Sequence, residues 1–328
     1  MRWNGKYATR MSITTGMALC ALAAPPAGAQ GFPSRPIHAI IPFSPGGAVD
    51  VPARVLGPRL QEIWKRPVVM DNRPGAGGTL GAAEIARSAP DGHSVLFVSN
   101  THLISAALYP NLPYDGVRDF TSIIGMGAAP NVVVVHPGVE ARSLAELFAL
   151  AKKRPAQITY ASSGNGSTQH LLGAHLWSLG GASLVHVPYK GSGPSITDLI
   201  AGVVQMTFDT PTVVLGHVKA GRLRAIAATT LARSANAPDV PTMSEAGLPG
   251  FVGGTWFGLL APGKTPKAVI DRLHQASAKI LHSPEVRKLL LERDVEPGGG
   301  TPQEFGDFIG AEIVKWQGLG AKIGIKPQ

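Results

Sequence analysis

Apolar runs along this chain alternate with stretches of helical periodicity. Residues 37–43, with the sequence IHAIIPF, are almost continuously apolar, as expected of a parallel strand that is covered on both faces. A glycine-containing turn follows, and residues 49–65 then show a helical pattern. The order of apolar run and polar turn recurs at residues 94–99, 158–161 and 203–208. This alternation predicts an α/β fold with doubly wound, mainly parallel sheets flanked by helices.

The length of the chain favours two lobes. It has 328 residues, and a single hydrophobic core rarely serves more than about 250–300 residues. The hydrophobic content of 44%, with 40 glycines and 28 prolines, suits an α/β protein with many tight connections between strands and helices. We find no internal repeat and no low-complexity linker that would separate independent domains.

The N-terminal residues have the three parts of a secretory signal peptide. Arg2, Lys6 and Arg10 give a cationic start, residues 13–24 are apolar, and residues 25–29 are small residues and prolines. The apolar run is shorter than the roughly 20 residues that a membrane-spanning helix needs. We therefore expect residues 1–29 to be removed, with cleavage near residue 29, and the mature protein to be exported without a membrane anchor.

Composition and motifs argue against several other classes of protein. The only cysteine, Cys20, lies in the leader, so the mature chain has no disulfide and no thiolate ligand. The net charge of +9 includes no basic run with interleaved aromatic residues, which argues against nucleic-acid binding. The histidines lack metal-ligand spacing, and we expect neither a metal nor a cofactor. Residues 258–265 match the phosphate-loop pattern, but Pro262 removes a backbone N–H that such a loop requires.

Two turns have the construction of an anion site. The first, residues 44–47 (SPGG), joins the strand at residues 37–43 to a helix, and the second, residues 162–168 (SSGNGST), also follows a strand. Backbone N–H groups converge at a helix start, where the helix dipole is positive, so they attract an anion. Asp50 follows the first turn and either stabilises the helix start or faces the pocket. Two such turns in two lobes can face each other across a cleft.

A third polar segment follows the strand at residues 94–99. Asn100, Thr101 and His102 come where open α/β sheets bind ligands, beyond the carboxyl end of a strand. They can instead cap the following helix, and for His102 the capping role is the favoured one.

Nine short segments of the mature chain form a specific combination. They are residues 41–50 (IPFSPGGAVD), 72–78 (NRPGAGG), 90–92 (PDG), 112–115 (LPYD), 160–164 (YASSG), 187–191 (VPYKG), 208–209 (FD), 237–242 (APDVPT) and 256–262 (WFGLLAP). In this order they resemble the substrate-binding receptors of tripartite tricarboxylate transporters, known as Bug receptors. The resemblance extends over essentially the whole mature length.

The resemblance implies a two-lobed periplasmic binding protein of a type II-like fold, in which two crossover strands join the lobes. We expect residues 30–128 and 254–328 to form the first lobe and residues 129–253 the second, with the ligand cleft between them. A receptor of this kind is a periplasmic monomer that closes on a small organic carboxylate. It then delivers the ligand to the membrane permease subunits of a tripartite transporter.

The resemblance also implies a set of ligand-binding positions. In such receptors, backbone amides of the two turns hold one ligand carboxylate, often through ordered waters. By position, the expected ligand-binding residues are Phe43, Ser44, Gly46, Gly47, Asp50, Asn100, Thr101, Ser163, Gly164, Ser167, Thr168, Tyr189 and Asp209. Backbone amides recognise the shared anionic end, so selectivity among acids is expected from the far side of the pocket, which the sequence leaves undefined.

Two other functions stay open at this point. A secreted serine hydrolase could use Ser163 or Ser167 with His170, and Asp209 could complete a triad, although the sequence has no Gly-x-Ser-x-Gly motif. The same fold could also serve a sensor that presents its closed form to a receptor. Genomic neighbours encoding a small and a large membrane subunit would favour transport over sensing.

Overall fold

The computed structural model describes residues 31–109 and 111–323, so the predicted signal peptide at residues 1–29 lies outside the described residues. The strands are β1 (Ile37–Ile41), β2 (Val68–Asn72), β3 (Ser94–Ser99), β4 (Phe120–Pro130), β5 (Val132–Val135), β6 (Thr159–Ser162), β7 (Val185–Pro188), β8 (Met206–Asp209), β9 (Arg224–Ala228), β10 (Gly254–Pro262) and β11 (Glu296–Pro297). The helices are α1 (Asp50–Trp64), α2 (Thr79–Ala86), α3 (Asn100–Leu108), α4 (Leu144–Lys153), α5 (Thr168–Gly180), α6 (Ser192–Ile200), α7 (Pro211–Lys219), α8 (Lys267–Leu281), α9 (Pro284–Leu291) and α10 (Pro302–Lys322).

The strands form two sheets. The first has the order β11-β4-β10-β3-β1-β2, and the second has the order β7-β6-β8-β5-β9. In the first sheet, β1 is parallel to β2 and β3, whereas β10 is antiparallel to β3 and β4. In the second sheet, β6 is parallel to β7 and β8, whereas β5 is antiparallel to β8 and β9. We call the parts of the molecule around these sheets the first lobe and the second lobe.

The prediction of two α/β lobes with mainly parallel sheets, joined by crossover strands, is confirmed, since most strands of each sheet run in one direction. Each sheet is nevertheless mixed, because β10 and β11 in the first sheet and β5 in the second run the other way. The chain leaves the first lobe through β4 and enters the second through β5, and it returns through β10. Because β5 and β10 enter their lobes from the cleft, they run against the strands whose carboxyl ends point toward it.

A buried polar cluster joins the two connections between the lobes. Asn131 lies between β4 and β5, Thr229 follows β9, and Thr255 lies in β10. The backbone N–H of Asn131 donates to Thr229 Oγ1 at 2.8 Å, and the backbone N–H of Thr229 donates to the Asn131 carbonyl at 2.8 Å. Asn131 Nδ2 also donates to Thr255 Oγ1 at 3.3 Å. We call these three residues the crossover cluster.

Each sheet packs against helices through its own hydrophobic core. Ile41, Leu56 and Phe97 belong to the core of the first lobe, and Val133 and Phe208 to that of the second. Full burial of such a side chain contributes about 1.5–3 kcal/mol, so the strand ends are fixed by many such contacts. The turns that follow those strand ends are therefore held on rigid supports.

Helix α1 contains Pro58, which predicts a break or a kink. The helix nevertheless runs without a break from Asp50 to Trp64, so the predicted break is wrong. Pro58 is exposed, and its ring therefore lies on the solvent side of the helix. The carbonyl that loses its helical partner there can hydrogen-bond to water.

Candidate functional site

The first turn leads from β1 into α1 and is held by Asp50. This carboxylate is buried and accepts from the backbone N–H of Gly46 at 3.0 Å, from Asn72 Nδ2 at 3.0 Å and from Arg54 Nε at 3.2 Å. Burial alone would raise the pKa of Asp50, but the hydrogen bonds and the Arg54 charge outweigh it, so the pKa lies below its usual value. Of the two roles left open for Asp50, these contacts correspond to stabilising the turn.

The second turn leads from β6 into α5 and is held by hydroxyl and imidazole groups. Ser162 Oγ accepts from the backbone N–H of Gly164 at 3.1 Å, and Ser167 caps the helix by accepting from the N–H of His170 at 3.3 Å. His170 Nδ1 accepts from the backbone N–H of Gly166 at 3.2 Å. Gly164 and Gly166 have φ values of 129° and 69°, which favour glycine.

A stacked pair of histidines lies behind the second turn. The rings of His170 and His186 are 4.0 Å apart and almost parallel. The ring of Tyr160 also stacks on that of His186. His186 Nε2 lies 2.6 Å from Ser162 Oγ. Burial lowers the pKa of both histidines, that of His186 to about 3, with the neighbouring His170 as a further cause. The second turn is therefore supported by neutral imidazoles.

Each of the two turns contacts the opposite lobe. The backbone N–H and the hydroxyl of Ser44 both donate to the Lys190 carbonyl, at 3.1 and 3.0 Å. A Cβ at Gly191 would lie 2.8 Å from the Ser44 nitrogen, and a Cβ at Gly164 would lie 3.1 Å from Gly77 Cα in the first lobe. Glycine therefore permits close backbone approach across the cleft, and the arrangement is a closed one.

Both turns line one small pocket between the lobes, which we call the cleft pocket. Five of the predicted ligand-binding residues line it: Phe43, Gly47, Thr101, Ser163 and Thr168. None of the described residues that line the cleft pocket carries a charge. The pocket thus presents hydroxyl groups and the starts of α1, α3, α5 and α6 to whatever occupies it.

Sequence analysis did not name several residues of the cleft pocket. They are Ala48, Val49, Ser99, Gln169, Ser192 and Thr255. Ser192 could have been found, because it opens α6 after Gly191 and so repeats the order of glycine followed by a helix start. Its hydroxyl lies 3.3 Å from Ser163 Oγ. Gln169 and Thr255 have no comparable signal, since their positions follow from packing between distant segments.

Other predicted residues lie outside the lining of the cleft pocket. Asn100 joins β3 to β10, because its Oδ1 accepts from the Trp256 N–H at 2.7 Å and its Nδ2 donates to the Gly254 carbonyl at 2.9 Å. The remaining ones are Ser44, Gly46, Asp50, Gly164, Ser167, Tyr189 and Asp209. Gly164 and Tyr189 line a wider pocket between the lobes.

The capping role favoured for His102, and left as an alternative for Asn100 and Thr101, is wrong. The N-cap of α3 is Ser99, so Asn100, Thr101 and His102 lie within the first turn of that helix. All three are buried, and His102 Nε2 lies 2.8 Å from the Gly116 carbonyl. Their side chains therefore point into the protein and not back to the helix start.

Asp209 is fully buried beside the cleft pocket. It accepts from the backbone N–H of Thr210 at 2.8 Å and lies 3.5 Å from Gln169 Nε2. Burial raises the pKa of Asp209 to about 6, against hydrogen bonds from Ser192, Thr210 and Gln169 that favour the charged form. Asp209 therefore orients two side chains that line the pocket.

The side chains of the suggested serine hydrolase are not assembled. Ser167 Oγ caps α5, Ser163 Oγ faces Ser192, and His170 Nδ1 is occupied by the Gly166 N–H. Asp209 is bonded to Thr210 and Gln169 and not to His170. The contacts needed for a Ser-His-Asp triad are therefore not made by these residues.

Comparison with known proteins agrees with this geometry. The model of the tripartite tricarboxylate transporter family receptor, TctC, matches residues 52–325. The chain belongs to this family. TctC proteins are periplasmic solute-binding receptors, and the resemblance predicted from the nine segments is confirmed.

Individual TctC relatives are similar over almost the whole chain. BugT of Bordetella pertussis is 37% identical over 321 residues, which cover 97% of this chain and 98% of BugT. The structure of the periplasmic binding protein BugD matches with a TM-score of 0.87 and 31% identity, covering 90% of this chain and 100% of BugD. A protein of R. palustris solved with adipate also has a TM-score of 0.87, with 34% identity, and the match covers 90% of this chain and 100% of that one.

Two further observations concern the described residues alone. Within residues 31–109 and 111–323, no group of three or more His, Cys, Asp or Glu side chains is placed to hold a metal ion. Over the same part of the chain, no helix has the length and apolar character to cross a bilayer.

Proposed function

We propose that this protein captures a small organic carboxylate between its two lobes and delivers it to a tripartite membrane permease. One observation carries the proposal: two turns that each precede a helix, one in each lobe, line the same uncharged pocket. A ligand that contacts both turns stabilises the closed form relative to the open one, because only closure makes both sets of contacts.

The chemistry of the cleft pocket favours an anion. The first turn of a helix leaves backbone N–H groups without partners inside the helix, and the helix dipole makes that end positive. Hydroxyl groups of Thr101, Ser163 and Ser192 add donors that can rotate toward an oxygen ligand. A carboxylate can be held in this way without a lysine or arginine, provided that its lone pairs are matched by enough donors.

The ligand-binding residues that we propose are those predicted from the sequence, with Gln169 and Ser192 added from the lining of the cleft pocket. Several of the predicted residues would act indirectly. Asp50 and Ser167 hold the two turns, Asn100 joins β3 to β10, and Asp209 orients its neighbours. The proposed lobes are residues 30–128 with 254–328, and residues 129–253.

The relatives support the choice of ligand class. The R. palustris protein was solved with adipate, a dicarboxylate, and its fold matches this chain with a TM-score of 0.87. We extend a carboxylate ligand to this chain on that basis. Export, removal of residues 1–29 and function as a monomer are parts of the same proposal.

A thermal-shift screen of the mature protein tests the ligand class. Carboxylates of increasing length are compared with the amides of the same acids, which keep the shape and lose the charge. Binding to the folded state alone raises its stability by about 2.7 kcal/mol when free ligand is a hundred times the Kd. If amides gave shifts equal to those of the acids, the assignment to carboxylates would be wrong.

Uptake measurements separate transport from sensing. Membrane vesicles containing the permease subunits encoded nearest to this receptor are supplied with a labelled carboxylate that passes the screen. Uptake that requires the mature receptor is the expected result. A receptor that binds the acid and leaves uptake unchanged would favour the sensor.

A further inference from the structure

An apolar contact outside the cleft pocket joins the two lobes. Helix α5 packs against β6 and β8 in the second lobe, whereas α3 packs against β3 and α10 against β4 in the first lobe. Between these helices lies a cluster of four buried apolar side chains: Leu171 of α5, Ile104 and Leu108 of α3, and Trp316 of α10. Leu171 and Ile104 are both 0% exposed. We call these four residues the interlobe cluster.

The interlobe cluster lies next to the cleft pocket along two helices. Thr168 and Gln169, at the start of α5, and Thr101, at the start of α3, line that pocket. Leu171 comes three residues after Thr168, and Ile104 comes three residues after Thr101, which is about one helical turn in each case. A rotation that separates the starts of the two helices therefore also withdraws Leu171 from α3.

The first-lobe face of the interlobe cluster is held in place by a buried carboxylate. Trp316 Nε1 donates to Glu312 Oε2 at 2.9 Å, and Trp256 Nε1 donates to the same oxygen at 3.2 Å. Glu312 also accepts from Lys315 Nζ at 2.7 Å. The indole of Trp316 is thus fixed to both α10 and β10, so the surface that Leu171 covers has a defined shape and meets water when Leu171 withdraws.

The contact favours the closed arrangement of the lobes. Opening would transfer the side chains of Leu171, Ile104 and Leu108 from a buried environment toward water, which is unfavourable for apolar surface. This effect does not depend on the ligand, since the described lining of the cleft pocket includes no residue of the interlobe cluster. A residue of the pocket, by contrast, contributes differently to ligands of different shape.

We propose that the interlobe cluster is an apolar latch, which keeps part of the ligand-free protein closed and strengthens the binding of every ligand by a common factor. The second part rests on the proposed function, because it takes capture of a ligand to require closure. Leu171 and Ile104 then determine how tightly the receptor holds its ligands, whereas the cleft pocket determines the choice among them.

Calorimetry of the mature protein tests the latch with Leu171→Ala. The probes are succinate, adipate and hexanoate, which differ in length and in the far end, together with any acid that passes the thermal-shift screen. We expect the Kd of each acid that binds the wild type to rise about tenfold, by the same factor for all. Leu172→Ala is the matched control, because Leu172 is the next residue of α5 but packs in the core of the second lobe. It should lower the Tm and leave the Kd unchanged.

The same test can be made from the first lobe. Ile104→Ala removes the opposite side of the contact, and its control is Leu103→Ala, because Leu103 is also 0% exposed but packs in the core of the first lobe. We expect Ile104→Ala to raise the Kd and Leu103→Ala to leave it unchanged. The combination of Ile104→Ala with Leu171→Ala should raise the Kd by less than the product of the two single effects, since both remove the same contact.

Small-angle X-ray scattering measures closure without any ligand. We expect a larger radius of gyration for Leu171→Ala than for the wild type and for Leu172→Ala. A saturating concentration of an acid that binds should return the Leu171→Ala variant to the wild-type value. That return would show that the variant is folded and able to close.

The possible results separate this inference from the proposed function. The latch is wrong if Leu171→Ala leaves the affinity unchanged, if its effect differs from one acid to the next, or if Leu172→Ala reproduces it. The assignment to carboxylates then stands. If no acid binds to the folded wild type, the proposed function itself is wrong, and the radius of gyration decides about the latch: equal values for the wild type and Leu171→Ala would exclude it.

Discussion

The two turns that face the cleft pocket follow the same order of strand, glycine turn and helix, but side chains of different charge hold them in place. Charged groups hold the first turn, where Asp50 is bonded to Gly46, Asn72 and Arg54. Neutral groups hold the second, where Ser162, His170 and His186 make the corresponding contacts. The comparison shows that two turns with the same order of strand, glycine turn and helix can be held by side chains of different chemistry, so their stabilities depend differently on pH.

The largest expected effect comes from Gly164, where the second turn packs closely against the first lobe. Gly164→Ala places a Cβ 3.1 Å from Gly77 Cα and 3.2 Å from the Tyr189 carbonyl, at a φ of 129° that L-residues avoid. We expect the affinity for the best carboxylate to fall about a hundredfold or more, since such strain costs about 1–3 kcal/mol and closure is obstructed as well. Calorimetry measures the change.

Gly46→Ala is the matched control in the first turn. Gly46 also has a positive φ, 76°, but a Cβ there would have no neighbour within 4 Å. It should cost about 1–2 kcal/mol of local strain without obstructing closure. Equal losses of affinity in the two variants would show that contact between the lobes at Gly164 is unimportant.

Lowering the pH should destabilise the second turn before the first. Burial lowers the pKa values of His170 and His186. Below pH 6.5 the unfolded chain therefore binds more protons than the folded one, and the folded state becomes less stable as the pH is lowered. The pKa of Asp50 is also lowered, but its stabilising effect is lost only as pH falls below about 3.8. Asp209 acts in the opposite direction, because its pKa of about 6 makes its burial less unfavourable as pH falls.

Amide hydrogen exchange, corrected for intrinsic rates, resolves the two turns separately. Between pH 7 and pH 4.5 we expect protection of the Gly166 amide to fall about tenfold, as protonation removes the acceptor at His170 Nδ1, while protection of the Gly46 amide is unchanged. His170→Gln keeps an acceptor that does not titrate and should abolish the pH dependence. A wild-type Gly166 amide that is insensitive to pH would contradict the assigned support.

The smallest expected effect concerns the contact that the first turn makes with the second lobe. Ser44→Ala removes the hydroxyl that donates to the Lys190 carbonyl at 3.0 Å and leaves the backbone bond from the Ser44 N–H. Because this contact is exposed, we expect a loss of less than about 1 kcal/mol, or up to fivefold in affinity. Ser88→Ala, which removes an exposed hydroxyl in the first lobe, is the control. A loss as large as that of Gly164→Ala would mean that the Ser44 hydroxyl, and not only its backbone, contacts the ligand.

The sequence was sufficient to predict the parts of the fold that depend on local pattern. Apolar runs at residues 37–43 and 94–99 correspond to β1 and β3, and the capping residue Ser167 lies where the second turn meets its helix. The mixed character of the sheets could not be predicted, because it depends on which strands carry the chain between lobes. That choice is made by packing over long sequence separations.

The side chains of the candidate site also divide into those that a local pattern predicts and those that only long-range packing places. The turns were found because glycine and hydroxyl residues beside a helix start leave a local signal, and Gly47 and Ser163 line the cleft pocket. Asn100 was expected to contact ligand, yet its amide joins β3 to β10. Gln169 and Thr255 reach the same pocket from separate lobes, which no local pattern reveals.

The crossover cluster connects a wall of the cleft pocket to the two segments that join the lobes. Thr255 is both a wall residue of the cleft pocket and the acceptor of the bond from Asn131 Nδ2. Asn131 is in turn bonded to Thr229 on the return path of the chain. A ligand that touches Thr255 is thus one side chain away from both segments through which the chain passes between the lobes.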